Sequence, residues 1–386
     1  MSRVPVIHII TKLEFGGAQQ NTLHTVAHLD DRYFDPLLIA GPGGYLMETA
    51  REMGIRVTVA RNMERPLNPF RDARAFRELV RLLEPYRGRP AIVHTHSSKA
   101  GILGRWAAHK TQVPVIVHSI HGFGFTPQQT PPLRWFLREA EIRTSGITDH
   151  FIAVSQSNRA DGIRYGLFKA EQCTVIRSGF DLVAFKDAGS ARDELQSELG
   201  IGPDTPLVLM VACLKPQKSP LDFAQVAALV RKEVPEARFL LAGDGELKDA
   251  LLREVDRLGL KGYFFVPGWR EDVPRLMRCS QVVVLTSRWE GLPRVIPQAK
   301  AVGRPVVATA VDGSVEAVRE GIDGYLCSPG DIKTMADRVV LLLKDQDRAL
   351  RMGRAGSLAV DEWDQDTMVR KQEALYERLL KEKGLW

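Results

Sequence analysis

Short β-branched, apolar runs alternate with amphipathic helical stretches along nearly the whole chain, and this alternation restricts the fold more than any other feature. In the first half the runs fall at residues 4–11, 36–40, 55–60, 91–96, 114–121, 150–155 and 174–176, most of them closed by Gly, Pro or Asn. A second series follows at 207–214, 239–242, 263–266, 282–286 and 305–309. Strand, helix and strand in succession imply parallel pairing, with helices covering both faces of each sheet. Two such series in 386 residues predict an α/β chain of two doubly wound, Rossmann-like domains facing a central cleft. The expected domains are 1–185 and 186–386, with the last helix, about 364–386, able to cross back to the first. Asp187-Ala188-Gly189-Ser190 reads as the linker. In open sheets of this kind ligands sit outside the carboxyl ends of the strands.

Composition narrows the class. Apolar residues make up 44% and charged residues 26%, an ordinary globular balance. The longest apolar run, 207–214, is far shorter than the roughly 20 residues a bilayer span needs. The first run lacks the long apolar core and cleavage site of a signal peptide. Cys173, Cys213, Cys279 and Cys327 are scattered without a CxxC pair, which reads as reduced thiols in a cytoplasmic protein. The net charge of +6 is partly local: eight Arg between 61 and 89 oppose four acids. Phe76, Leu79, Val80 and Leu83 give that segment one apolar helical face, leaving Arg71, Arg74, Arg77 and Arg81 on others. The bland reading is a solvated helix; the sharper one is a patch for anionic lipid or a phosphorylated acceptor, at the inner face of a membrane. Nothing points to nucleic acid.

Several segments could carry chemistry. Phe15-Gly16-Gly17-Ala18 ends the first strand and opens a helix, where backbone N–H groups can meet an anion. It is not the full GxGxxG, and Asp35 precedes its strand's apolar core instead of ending it, so a dinucleotide site is rejected. Lys215-Pro216-Gln217-Lys218-Ser219-Pro220 follows the strand at 207–214. Ser219 reads as an N-cap and Pro220 as the first helical residue, placing two ammonium groups where a diphosphate could bind, or where a solvated turn stands. Gly243-Asp244-Gly245 is equally a turn or a ligand loop. Ser287-Arg288-Trp289-Glu290-Gly291-Leu292-Pro293 sets an acid and a glycine beyond a buried strand, ahead of a short helix at 297–302. All nine histidines lie in the first 150 residues. His94 and His96 share one side of a strand and could ligate a metal with His118 or His121, although structural histidines are commoner. His121 also opens a Gly- and Pro-rich loop reaching Pro132 that could move over the cleft. The acid pairs Asp345/Asp347 and Asp364/Asp366 flank late helices and read as solvent-facing. There is no GxSxG elbow and no phosphate loop ending GK[ST].

Taken in order, these segments resemble the family-4 retaining glycosyltransferases of the GT-B fold, over essentially the whole chain. The likeness runs through Gly16-Gly17, His94-Thr95-His96-Ser97-Ser98-Lys99-Ala100-Gly101, His121-Gly122-Phe123, Ile152-Ala153-Val154-Ser155, Leu241-Ala242-Gly243-Asp244-Gly245, Val266-Pro267-Gly268 and the Glu290 stretch. By that resemblance Gly17 lies near the donor diphosphate, His121 at the donor sugar and Lys218 on the diphosphate. Arg270 presents backbone to the nucleobase, Glu290 binds sugar hydroxyls, and the N–H groups of Gly291, Leu292 and Arg294 line sugar and phosphate. Two positions depart. The family's ribose-binding second Glu is Gln298, which keeps hydrogen bonding but not charge. The family's Arg before the diphosphate Lys is Cys213, with Lys215 nearby as a less directional cation.

The resemblance implies transfer of a sugar from a UDP-sugar, or next a GDP-sugar, to a hydroxyl of a glycan, lipid-linked or polysaccharide-precursor acceptor. The Arg-rich helix together with Arg134-Trp135-Phe136-Leu137-Arg138 suggests membrane-proximal work. Configuration is retained, without metal or other cofactor, and His121, Lys218 and Glu290 carry the reaction. The alternatives are a nucleotide-sugar-binding module without turnover, an epimerase, or a phosphorylase of similar architecture.

Overall fold

The computed structural model describes residues 3–126, 129–202 and 204–386. The chain divides into two compact units, residues 1–179 with 365–386, and 180–364. The first holds seven strands: β1 (Val4–Ile10), β2 (Phe34–Ala40), β3 (Val57–Val59), β4 (Ile92–His96), β5 (Val115–Ile120), β6 (His150–Ala153) and β7 (Cys173–Val175). All pair in parallel, in the order β3-β2-β1-β4-β5-β6-β7. Side chains alternate across a strand, so β1 sends Val4 and Val6 to one face and Ile7 and Ile9 to the other. On the latter face lie Ala75, Leu79 and Leu83 of the helix Pro69–Leu83, and Ala100, Ala107 and Ala108 of the helix Ser98–Lys110.

The opposite face is closed by the C-terminal helix Gln365–Glu382, whose Met368, Val369, Leu375, Tyr376, Leu379 and Leu380 pack on Ile92, Val115 and Val117. Each such side chain contributes about 1.5–3 kcal/mol by leaving water. This helix therefore belongs to the first sheet, beside the helix Gly17–His28, and the division falls at 179/180, ahead of the expected 185/186.

The second unit holds β8 (Leu207–Val211), β9 (Arg238–Ala242), β10 (Phe264–Gly268), β11 (Val282–Leu285), β12 (Val306–Thr309) and β13 (Gly324–Cys327), ordered β10-β9-β8-β11-β12-β13 and parallel throughout. Every residue of β11 is fully buried, as a central strand covered on both faces requires. β13 was not anticipated. It is a four-residue edge strand that begins with a glycine, and a Cβ on Gly324 would stand 2.5 Å from the Val306 carbonyl oxygen.

In each sheet the strand order reverses once, between β1 and β4 and between β8 and β11. At such a reversal the following loops diverge to opposite faces and leave a crevice beyond the strand ends.

Candidate active site

In the second unit, the loops after β8, β11 and β12 are stitched into one framework. Thr286 at the end of β11 donates from Oγ1 to the carbonyls of Lys218 (2.8 Å) and Ser219 (3.0 Å). The Arg288 N–H donates to the Gln217 carbonyl at 2.7 Å, and Gln217 Nε2 returns a bond to the Trp289 carbonyl at 3.0 Å. The Arg288 guanidinium reaches Asp222 at 2.6 Å in the first turn of the helix Pro220–Glu233. These contacts hold Lys218 against Glu290. The Lys218 ammonium donates to Glu290 Oε1, and Ser287 Oγ donates to the same oxygen at 2.5 Å. Glu290 is buried and the Lys218 side chain retains 19% exposure. The Glu290 N–H is held by Asp312 Oδ2 at 2.7 Å, from the loop after β12.

What remains open on this framework is as informative. Among the described residues Glu290 Oε2 accepts no hydrogen bond, the Lys215 ammonium has no carboxylate partner, and the N–H groups of Gly291 and Leu292 donate to nothing. An open carboxylate oxygen on a largely buried residue, a cation and two adjacent backbone donors at a switch point form a set that suits a polar ligand bearing hydroxyls and negative charge. Gln298 lies on the short helix Val295–Ala301, which starts two residues earlier than expected, and its amide makes no side-chain hydrogen bond among the described residues. Arg294 sits at the start of that helix, partly buried, and desolvation brings its pKa down to about 10, so it stays a cation at neutral pH. The Arg270 side chain is fully engaged, forked onto Asp272 at 2.8 Å and reaching Glu198 at 2.6 Å, which leaves its backbone as the part available to a ligand.

Two expectations change. Ser219 does occupy the N-cap position, but with φ 45° and no capping bond; its hydroxyl accepts from Arg288 Nε at 3.3 Å instead. Gly243 and Gly245 serve packing: both have positive φ, and a Cβ would lie 1.9 Å from the Ala212 carbonyl oxygen and 2.7 Å from that of Leu214, respectively. The β9 loop can approach the β8 loop only without side chains there.

In the first unit, Gly17 is the opening residue of the helix Gly17–His28, after Gly16 in extended conformation. His94 and His96 do share one face of β4, with ring centroids 4.2 Å apart, and His8 of β1 joins them at 5.0 and 5.3 Å. His118 faces the other way, onto Thr95 Oγ1 at 2.9 Å, so it cannot complete a metal set with them. Ring nitrogens of His8, His94 and His96 lie within 4.8 Å of one another. Both nitrogens of His94 and of His96 are already in hydrogen bonds, to Tyr376, Ser119, His8 and His121, which makes this a structural polar network. Burial keeps all three imidazoles neutral, holding His8 near pKa 3 and the other two well below the ordinary value. His121 is half-buried, 3.2 Å from His96. The loop it opens includes residues 127 and 128, outside those described.

Comparison with known proteins agrees with this architecture. The family model for glycosyl transferases group 1 matches residues 191–358, and that for glycosyltransferase family 4 matches 15–183. The UDP-Gal:alpha-D-GlcNAc-diphosphoundecaprenol alpha-1,3-galactosyltransferase of Escherichia coli is 30% identical over 348 residues, 89% of each chain. The chain belongs to glycosyltransferase family 4. Another relative of this family-4 glycosyltransferase is the N,N'-diacetylbacillosaminyl-diphospho-undecaprenol alpha-1,3-N-acetylgalactosaminyltransferase of Campylobacter jejuni, 24% identical over 354 residues, 90% of this chain and 92% of that one. Among solved structures, Anabaena HepE in complex with UDP and glucose superposes with a TM-score of 0.84 at 22% identity, covering 97% of this chain and all of that one. That likeness establishes the GT-B fold.

Glu290 and Lys218 stand out in the sequence, but the groups that fix them do not. Ser287, Thr286, Asp312 and the Arg288–Asp222 pair escaped sequence reading, because each acts through a partner at least 22 residues away or through a side chain with no motif of its own. Only Ser287, three residues before Glu290, carried a local signal.

Proposed function

We propose that this glycosyltransferase moves a hexose or N-acetylhexosamine from a UDP-sugar to a hydroxyl of a lipid-diphosphate-linked glycan, retaining configuration and using no metal. The observation that carries the reading is the Lys218–Glu290 pair at the β8/β11 reversal, with Lys215, Glu290 Oε2 and the Gly291 and Leu292 N–H groups left open around it. In the resting site Lys218 neutralises Glu290. A donor diphosphate offers the ammonium a second anion, and the shared cation then links phosphate and carboxylate. Glu290 Oε2 takes a sugar hydroxyl, which orients the ring; the amide of Gln298 reaches the ribose.

As the bond from sugar to diphosphate breaks, negative charge grows on the leaving oxygens. Lys218, Lys215 and the two N–H groups are placed to stabilise it, the electrostatic effect that usually dominates such catalysis. The acceptor oxygen then bonds to the anomeric carbon on the face the diphosphate leaves while a diphosphate oxygen takes its proton, and attack on that same face keeps the configuration. Ammonium groups do the neutralising in this scheme, and hence no metal is invoked. The roles of Gly17 and His121 rest on the family resemblance alone. Both diphosphoundecaprenol relatives are named alpha-1,3 transferases, which supports the acceptor class and, for an α-linked donor, retention. Work on such acceptors places the enzyme at a membrane surface, and among the described residues no helix is long and apolar enough to cross one.

The test is release of nucleoside diphosphate from a panel of UDP-, GDP- and ADP-sugars, with short-chain lipid-diphosphate sugars as acceptors and with EDTA present. Release with a UDP-sugar that depends on acceptor, and an α anomeric signal in the product, are expected. Tight donor binding with no release under any condition would instead favour a binding module, for which Cys213 and Gln298 are the motivating departures. A β product, or turnover abolished by EDTA, would overturn the mechanism.

A further inference from the structure

Among the described residues, three large apolar side chains are exposed within one turn at the start of the helix Pro131–Ser145. Trp135 is 63% exposed, Phe136 57% and Leu133 37%. Large exposed aromatics in one turn are unusual on a soluble surface. The rest of this helix is firmly anchored. Glu141 pairs with the buried Arg105 at 2.5 Å, Trp106 Nε1 donates to Thr144 at 3.0 Å, and Leu137 packs against the buried cluster that includes Ile120, Phe125 and Phe151. Those contacts fix which side faces the protein. With about 100° between successive residues, Leu137, Glu141 and Thr144 face inward with Leu133 at the free end of the same stripe, and Trp135 and Phe136 flank the outward direction. The first turn stands clear of the body, with residues 131–136 all exposed.

Charge accompanies the apolar groups. Arg134 and Arg138 lie one turn apart on the flank of this tip, both exposed, and neither has a carboxylate partner among the described residues. Residues 131–138 include no acid; Glu139 is the first. Because helices follow parallel strands, this tip lies at the carboxyl edge of the first sheet. So does the start of the helix Pro69–Leu83, two helix spacings away in the same layer, where Phe70 is 82% exposed. Arginines of that second helix are spread along its whole length, and Arg71 is paired with Glu64. They do not gather at the edge that carries the apolar side chains.

We propose that the Leu133–Phe136 turn, with Arg134 and Arg138, is a docking element that inserts into the interface of an anionic lipid bilayer. Trp and Phe favour the headgroup level of a bilayer, and guanidinium groups without a carboxylate partner attract lipid phosphates, although Arg138 also lies over the Tyr165 ring at 5.6 Å. A groove on a protein partner would instead want a single stripe, with the exposed cations matched by acids. The proposal deepens the lipid-linked-acceptor reading, which gives the contact its purpose, but it is measured without any sugar donor.

The experiment is co-sedimentation of the full chain with vesicles of phosphatidylcholine alone and of equal parts phosphatidylcholine and phosphatidylglycerol. Binding is expected on the anionic vesicles at about 0.1 M salt and weakened at about 0.5 M. The double variant Trp135→Ala/Phe136→Ala should lose at least about tenfold in partition. Arg134→Gln/Arg138→Gln should lose about tenfold on anionic vesicles and little on neutral ones. Arg74→Gln/Arg77→Gln/Arg81→Gln should stay within about twofold of the parent. Unchanged thermal melting shows each variant folded, and transfer to a water-soluble acceptor should survive in all three. Failure of the parent to bind anionic vesicles overturns the proposal, as does binding that only the triple arginine variant abolishes. It also falls if the lipid-free chain dimerises and the Trp135→Ala/Phe136→Ala variant is monomeric, since the turn would then serve self-association. Vesicle binding with no sugar transfer would sink the catalytic reading and leave this one standing.

Discussion

At the scale of single residues, the Lys218–Glu290 pair raises the question of how much of any mutational effect is chemistry and how much is stability. Glu290 is buried, so removing its cation leaves a charge without compensation, a loss that can reach about 3–5 kcal/mol. Lys218→Ala is therefore expected to lower the melting temperature as well as to reduce transfer at least about 100-fold. Glu290→Gln separates the two effects: the amide keeps the shape and the Ser287 bond, so the fold should hold while transfer still falls at least about 100-fold. Steady-state rates beside thermal melts decide it, and near-normal turnover in a folded Glu290→Gln would remove this residue from the site. Cys213 behaves differently. Its side chain is partly exposed on the β8 loop, so Cys213→Arg should cost less than about 1 kcal/mol, read from the same melts. Unfolding on that substitution would show the position to be core. Both paired residues were legible because each follows a buried strand and has a characteristic neighbour. Ser219 stands at the N-cap as expected, but it makes no capping bond: Thr286 holds the Lys218 and Ser219 carbonyls, Ser219 has φ 45°, and its hydroxyl accepts from Arg288 Nε instead.

Elements explain why the Glu290 loop has one conformation. It touches the loop after β12 so closely that a Cβ on Gly313 would lie 2.3 Å from the Gly291 carbonyl oxygen and 3.1 Å from the Leu292 Cα. Asp312, at φ 38°, spends backbone strain of about 1–3 kcal/mol to aim its carboxylate at the Glu290 N–H. Gly313→Ala must therefore push the Gly291 and Leu292 donors aside. Transfer should drop about 100-fold, as a shift near 1 Å at a positioned group can produce, with stability lower by about 1–3 kcal/mol. Gly189→Ala, where nothing lies within 4 Å, is the control and should leave both unchanged. Should the two glycine variants behave alike, close approach of these loops would not govern the site. Such loop-to-loop contacts are what sequence patterns carry least well. Parallel pairing could be inferred from alternation, whereas the meeting of Gly313 with Gly291 depends on β11 and β12 pairing side by side. β13 was missed on similar grounds, since its glycine is required by the Val306 carbonyl and not by any propensity of its own.

Across the whole molecule, the clustering of all nine histidines in the first 150 residues becomes a statement about stability. Burial lowers the pKa of His8 to about 3 and of His150 to about 4, and holds His94, His96 and His118 well below the ordinary 6.5. All five belong to the unit formed by residues 1–179 and 365–386. Below pH 6.5 the unfolded chain takes up protons that the folded unit refuses, so stability is present above that value and lost as pH falls. Each such histidine steepens the loss by about 1.4 kcal/mol per pH unit. Glu373, whose carboxyl is raised by burial, acts in the opposite sense, one group against five. Five together remove about 7 kcal/mol per unit, comparable to the whole stability of a domain of this size, about 5–15 kcal/mol. The first unit should therefore unfold near pH 5, while the second, with no histidine, stays folded. Hydrogen exchange read by peptide mass between pH 7 and pH 4.5 would show it as lost protection in β1, β4 and β5 with β8, β11 and β12 still protected. Simultaneous loss in both sheets, or full protection of β4 at pH 4.5, would mean that the histidine network takes up protons without opening the fold.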